Sequence, residues 1–197
     1  MQVEGDGKLA EIEVRASDVL LRPFRLDDAA TIEEAALDPA IPRVTTVPPG
    51  CDRAGAEDFI ARQAERMTNG TGWPLAIVPT GNDAEDDGHS RPVGAIGLWV
   101  TQLAKGRAEI GYWVVESARG RGYASSALAA LTDWAFANLD ELHRLSLFIE
   151  PWNTASIRTG ERVGYEREAV LRDWELVDGQ PVDMWSYVLT RTMHSRN

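Results

Sequence analysis

The spacing of apolar and polar positions predicts the elements of this chain almost from end to end. Val19 to Phe24 reads as a short strand, and Asp27-Asp28 behind it opens a helix. A carboxylate there accepts bonds from the first free N–H groups and meets the positive end of the helix dipole. Pro39, Pro42, Pro48 and Pro49 make Asp38 to Gly50 a loop. Asp52 caps a second helix with Ala56, Phe59, Ile60, Ala64 and Met67 on one face, and Asn69-Gly70 stops it. Trp73 to Pro79 and Val93 to Thr101 are β-rich apolar runs joined by an acidic hairpin loop, Gly81 to Ser90. Ala108 to Val115 is the next strand. Tyr123 to Asn138 is the clearest helix, with Ala124, Ala127, Leu128, Leu131 and Ala135 at helical spacing. Arg144 to Ile149 then reads as a strand and Thr154 to Val163 as a short helix. Tyr165 to Val177 and Val182 to Thr190 close as a hairpin around Asp178-Gly179. The order β-α-α-β-β-β-α-β-α-β-β, with no internal repeat or linker, predicts one domain of α/β (α+β) class over residues 19–192. Residues 1–18 and 193–197 are expected to be tails, the first of them flexible.

Composition narrows the class. A chain of 197 residues is long enough for one domain with a buried core, and 44% hydrophobic with 26% charged residues argues against wholesale disorder. The longest apolar run, Val93 to Val100, is far shorter than the roughly 20 residues of a membrane helix. The first residues mix charges with glycine and lack the apolar segment of a secretory signal. Cys51 is the single cysteine, which excludes an internal disulfide, a multi-cysteine metal site and an iron–sulfur cluster. A soluble cytoplasmic protein with no membrane partner is expected. Lys+Arg 20 against Asp+Glu 31 gives a net charge of −11. Such a chain repels phosphate backbones, so no nucleic-acid partner is expected, and it attracts cations such as amines. His89, His143 and His194 pair with no Cys or Asp at nucleophile or metal spacing, so hydrolase and metalloenzyme readings have no support.

The segment that carries chemistry is AEIGYWVVESARGRGYA, Ala108 to Ala124. A strand runs into Arg119-Gly120-Arg121-Gly122 and the strong helix begins at once. The glycines let backbone approach a ligand, the helix start offers N–H groups and partial positive charge, and two arginines add more. A pyrophosphate suits that set; an exposed basic turn capping a helix is the other reading. No G-x-x-x-x-G-K-[ST] is present, so a P-loop nucleotidase is excluded. Gly120-x-Gly122-x-x-Ser125 is a degenerate dinucleotide fingerprint with Asp140 near the acidic position. Too few βαβ units follow to build that fold.

On these residues the chain resembles the GCN5-related N-acetyltransferases (GNAT), and among them the ribosomal-protein N-terminal acetyltransferases (the RimJ/RimL-like group). Arg119-x-x-Gly122-x-Ala124 is similar to the superfamily's [QR]-x-x-G-x-[GA] motif. EIGYW (Glu109 to Trp113), PWNTASIRTGERVGY (Pro151 to Tyr165) and LLRPFRLDDA (Leu20 to Ala29) resemble segments of the subgroup, in the same order. The resemblance implies a mixed, mostly antiparallel twisted sheet with a splayed pair of parallel central strands, Ala108 to Val115 and Arg144 to Ile149, and helices on both faces. It implies acetyl-CoA as acyl-donor co-substrate. The pantetheine arm would bond to backbone at Val114 and Val115, and the pyrophosphate would sit over Arg119, Gly120, Arg121, Gly122, Tyr123, Ala124 and Ser125, with Asn153 near the arm. An amine, small or at a protein N-terminus, would attack the thioester directly. Glu109 corresponds to a strand glutamate that serves as base in some members. The tyrosine that protonates the thiolate in many members falls at Gly160, and Ser156 is the remaining candidate donor. Glu150 either orients substrate or is solvated. Most of the seven tryptophans are expected in the core or packed on the sheet, and Trp152 near substrate. The acceptor loops would be Asp38 to Arg53 and the Val177–Val182 turn, and a homodimer through the last hairpin is conceivable. A non-catalytic acyl-CoA-binding module of the same fold is the alternative.

Overall fold

The computed structural model describes residues 11–80 and 90–196. Its strands are β1 (Val14–Arg15), β2 (Val19–Pro23), β3 (Gly72–Pro79), β4 (Gly94–Trp99), β5 (Arg107–Val114), β6 (Arg144–Ile149), β7 (Glu166–Val177) and β8 (Gln180–Thr190). The helices are α1 (Ala29–Ala36), α2 (Ile41–Val44), α3 (Arg53–Thr68), α4 (Tyr123–Asn138), α5 (Thr154–Arg162) and α6 (Arg191–His194). The strands form one sheet in the order β1-β2-β3-β4-β5-β6-β8-β7. Every neighbouring pair is antiparallel except β5 and β6. This is the mixed sheet with one parallel central pair that the resemblance implied. The acidic Gly81 to Ser90 segment falls, but for its last residue, outside the described residues, as do His89 and the first ten positions.

Alternation along β3 and β4 assigns the two faces. Trp73 lies opposite Leu98, and its ring meets Trp134 of α4 with centroids 5.1 Å apart. The next residue after Leu98, Trp99, points the other way, where the Arg66 guanidinium of α3 sits 5.1 Å over its ring. So α4 covers one face and α3 the other. The apolar stripe of α4 does what its spacing predicts: Ala127, Leu128, Leu131 and Ala135 are all fully buried. At its far end Arg191 donates to the carbonyls of Phe136, Leu139 and Leu142 at 2.6, 2.8 and 2.9 Å. Phe136 is among the acceptors that the helix end leaves without an internal partner, and the other two belong to the turn that follows.

Three local readings differ from the structure. Val14 and Arg15, expected within a tail, pair with Leu21 and Leu20, and Val14 is buried. A two-residue strand flanked by charges has no alternation to reveal it. Asp38 to Gly50 contains the one-turn helix α2, in which Pro42 occupies a first-turn position whose missing N–H breaks no helix bond. The last hairpin is tighter than expected. Asp178 and Gly179 have φ of 52° and 73° and Val177 pairs directly with Gln180, the two-residue turn that an Asp-Gly pair favours. Of the tryptophans, Trp73 and Trp113 are buried whereas Trp152 and Trp174 are exposed. Trp134 and Trp185 are partly buried against the core, so most are packed as expected.

A buried ion pair fixes the turn from β2 into α1. Arg22 donates to both carboxylate oxygens of Asp28 at 2.7 and 2.9 Å, and Asp28 also accepts the Arg25 N–H. Removing one partner strands a buried charge, at a cost of about 3–5 kcal/mol, whereas apolar replacement of both is close to neutral. Arg22→Met is therefore expected to lower unfolding free energy by about that amount in urea titrations, and Arg22→Met with Asp28→Leu to recover most of it. Equal losses in the single and double variants would contradict this account.

Candidate active site

β5 and β6 share only three register pairs, Arg107 with Arg144, Ala108 with Leu145 and Glu109 with Ser146. Beyond these they part. β5 stays paired with β4 as far as Val114 with Gly94, and the Val115 N–H continues the ladder to the Val93 carbonyl at 2.9 Å. β6 stays paired with β8 as far as Ile149 with Trp185. Successive residues of a strand turn their backbone groups to opposite neighbours. With Val115 bonded toward β4, Val114 and Tyr112 direct theirs to the side that β6 has left.

A cleft of about 470 Å³ opens there, between the end of β5, the start of α4 and α5. Gly120 and Gly122 have φ of 79° and 90°, the left-handed region, and a Cβ on either would meet nothing within 4 Å. α4 starts with no side-chain cap, and its first helical bond runs from the Ser126 N–H to the Gly122 carbonyl at 3.0 Å. The N–H groups of Ala124 and Ser125 precede that bond and carry the positive end of the helix dipole. Bare main chain, left-handed glycines and a long helix start make a seat that fits a diphosphate. Val114, Arg119, Gly120, Gly122, Tyr123, Ala124, Ser125 and Asn153 line this cleft. Arg121 is exposed outside it, and Val115 is buried with its N–H spent on Val93 and its carbonyl on Ala118. Sequence reasoning did not reach Arg158 and Arg162, which supply positive charge from α5.

Arg119 is held in place from two sides: Nε donates to the Val114 carbonyl at 3.1 Å and Nη2 to Asp38 at 2.6 Å. Burial pushes the Asp38 carboxyl up. The N–H groups of Ala40 and Ile41 and the Arg119 guanidinium outweigh it, so the group lies below the usual carboxylate range.

A second cavity, of about 500 Å³, lies on the α3 side. Gly97 and Gly111 are register partners in its floor, and a Cβ at Gly97 would strike the Trp99 indole at 2.6 Å. Phe24, Phe59, Trp99 and Phe148 make the walls aromatic, and Val44 to Thr46, in and just after α2, close it. Tyr112, Trp113, Asn153 and Ser156 line both spaces, so the two meet where β5 and β6 diverge. Asn153 caps α5 by accepting the Ser156 N–H at 3.1 Å. The Tyr112 hydroxyl donates to the Ser156 carbonyl at 3.1 Å, and burial pushes that phenol up to about 12 against the pull of its bonds with Ser156 and Thr159. At Gly160 a Cβ would already meet Leu147 at 3.0 Å, so no tyrosine fits there without displacing the core.

Glu109 is half-buried on β5 opposite Trp99, on the same face as Gly111, one residue short of the cavity lining. Burial raises its carboxyl above the ordinary value. Glu150 is not a solvated carboxylate: it is buried in the cavity wall, 5% exposed. Trp152 lines the first cleft and donates Nε1 to Glu150 at 2.7 Å, beneath the Arg43 guanidinium. Of the expected acceptor loops, the first supplies Val44 to Thr46. The last hairpin approaches through Asp178, whose Oδ2 lies 4.0 Å from Arg43 Nε.

This geometry has relatives. An acetyltransferase (GNAT) domain matches residues 18–166. The uncharacterized N-acetyltransferase p20 of Bacillus licheniformis is 29% identical over 171 residues, spanning 87% of this chain and 92% of that one. A GNAT-family acetyltransferase from Bacillus anthracis superposes with a TM-score of 0.74 at 20% identity, over 91% of this chain and 98% of that one. Mycobacterium smegmatis RimJ, solved with a CoA disulfide, does so with a TM-score of 0.71 at 25% identity, over 92% and 87%. The chain belongs to the GNAT acetyltransferase family. It is thus an acetyltransferase with acetyl-CoA as co-substrate, with RimJ/RimL-type enzymes among its structural neighbours.

Two outcomes follow from the cleft. Gly122→Val is expected to weaken acetyl-CoA binding at least tenfold in titration calorimetry, while Gly179→Val, equally left-handed but in the remote hairpin turn, leaves affinity unchanged. Equal affinity in both variants would contradict the diphosphate seat. The folded Asp38 value lies below the unfolded one of about 3.9, so this carboxylate stabilises the fold above about pH 4 and loses that contribution as pH falls through the folded value. Asp38→Asn should therefore unfold at lower urea than wild type at neutral pH, with the gap closing below about pH 4. A gap undiminished near pH 3 would be inconsistent with that linkage.

Proposed function

We propose that the protein transfers an acetyl group from acetyl-CoA to a primary amine, on a small molecule or a protein N-terminus, by direct attack in a complex of both substrates. One observation carries this reading: two cavities reach the divergence of β5 and β6 from opposite sides and meet at Tyr112, Trp113, Asn153 and Ser156. Donor and acceptor then need no covalent enzyme intermediate to reach each other. The net charge of −11 favours a cationic acceptor.

In this reading the main chain from Gly120 to Ser125 holds the diphosphate, and Val114 and Tyr112 extend the sheet toward the pantetheine amides. When bound, the thioester supplies an acetyl carbonyl open to attack. The acceptor enters along the α3-side cavity with its nitrogen toward Ser156. As the N–C bond forms, Glu109 takes up the proton the nitrogen gives up through a chain of waters along the cavity. Its half-burial and raised carboxyl pKa suit it to that exchange nearer neutrality. As the C–S bond breaks, the sulfur takes a proton through the Ser156 hydroxyl, which regains one from water in the same step, and Glu109 passes its own proton to solvent before the next turnover. A CoA thiol, with a pKa near the roughly 8.5 of cysteine, leaves easily enough for such a weak donor.

Excess acetyl-CoA, at about 100 times its Kd, is expected to add about 2.7 kcal/mol to unfolding free energy. An amine panel that includes ribosomal-protein N-terminal peptides is expected to release free CoA. Stable acetyl-CoA binding with no thiol release across the panel would instead favour a binding module. Glu109→Gln should lower kcat/KM roughly a hundredfold and remove the acid limb of its pH profile. An unchanged rate and profile would take the base role from Glu109.

A further inference from the structure

Glu150 ends β6 on the α3 side of the sheet. Leu147 packs under Gly160 of α5, so alternation turns Phe148 and Glu150 to the opposite face, where both line the 500 Å³ cavity. The Glu150 side chain is 4% exposed. Its Oε2 accepts from Arg43 at 3.0 Å and from Trp152 at 2.7 Å. Its Oε1 is buried and meets no donor among the described residues. Native proteins rarely leave a buried carboxylate oxygen without a donor, because the lost hydration is not repaid.

The surrounding charges do not close the account either. Arg43 is shared between the buried Glu150 at 3.0 Å and the exposed Asp178 at 4.0 Å. Arg66 lines the same cavity but lies over Trp99 and bonds to Gln63. Trp99 is level with Glu109 and Ser146, and Glu150 stands four residues further along β6, about 13 Å away in the strand direction. Arg66 therefore serves the other end. Trp113, Phe148 and Met184 also line this cavity, together with Thr45, Thr46 and Asn153. A buried carboxylate oxygen without a donor, a single shared cationic partner and aromatic walls describe a cation on an apolar or aromatic body.

We infer that Glu150 is the group that binds the acceptor's ammonium: its Oε1 accepts from the primary ammonium of an amine whose apolar or aromatic body fills the cavity. The last torsion of a glutamate is broad and turns both oxygens together, so bringing Oε1 to the cavity loosens the bonds of Oε2 with Arg43 and Trp152. Because Arg43 competes for the same carboxylate, it limits acceptor affinity. The inference rests on the amine-acceptor reading and assigns its recognition site.

The test uses the full chain loaded with CoA, which holds the complex without turnover. Phenethylamine is titrated and followed by tryptophan fluorescence, since Trp99 and Trp113 line the cavity, and by calorimetry. Wild type is expected to saturate. Glu150→Gln should bind phenethylamine at least tenfold more weakly while keeping its CoA affinity within twofold. 2-Phenylethanol, the uncharged counterpart, should bind wild type at least tenfold more weakly than the amine. Arg43→Gln, a change at a half-exposed side chain, should bind the amine more tightly, a sign that a merely structural cluster would not give. The inference is overturned if Glu150→Gln keeps wild-type amine affinity, if the alcohol binds as well as the amine, or if Arg43→Gln weakens binding in parallel with Glu150→Gln. It is also overturned if CoA-loaded wild type ignores phenethylamine. Failure of wild type to bind CoA at all would remove the parent reading together with this one, and is told apart by the CoA titration.

Discussion

Two parallel strands that stop pairing after Glu109 and Ser146 are the constraint on which the site depends. Backbone groups without partners are costly inside a protein, so a divergence of this kind survives only where something holds the strands apart and something else can satisfy them. Side chains do the first. Tyr112 reaches from β5 to the Ser156 carbonyl, Asn153 fixes the first turn of α5, and Gly160 lets that helix sit against Leu147. On the outer sides β4 and β8 keep full ladders with β5 and β6, so the gap is confined to one seam of the sheet.

Charge is arranged around that seam in two ways. On the α4 side, positive potential comes from main chain at a helix start and from Arg119, itself pinned by Asp38 and the Val114 carbonyl. An anchored guanidinium loses less freedom when an anion arrives than one swinging in solvent. On the α3 side the polar groups are few and specific, set in aromatic walls, with Glu150 held by Arg43 and Trp152. α2 links both, since Asp38 caps its approach and Arg43 lies within it.

Much of this was legible in the sequence. α4 and β6 have the bounds that their apolar spacing predicts, because each buries a complete face against the sheet. The left-handed glycines ahead of α4 were foreshadowed by Gly120 and Gly122 directly before the strongest helical pattern in the chain. What stayed hidden depends on residues far apart in the chain. Glu150 precedes a proline and reads as the polar end of a strand, and its enclosure depends on Arg43, 107 positions away. α2 was masked by the prolines that mark the same stretch as a loop, and Tyr112 gave no sign that it would span two cavities. Arg121 and Val115 belong to the motif by position, yet local geometry turns one to solvent and the other into the ladder with β4.

The measurement that bears most directly on this account is a crystal structure of the full chain grown with acetyl-CoA. The account requires the diphosphate on the N–H groups between Gly120 and Ser125, the pantetheine arm bonded to the open side of Val114, and the thioester at Ser156 where the two cavities meet. A diphosphate lodged elsewhere, or β5 and β6 paired continuously to their ends, would contradict it.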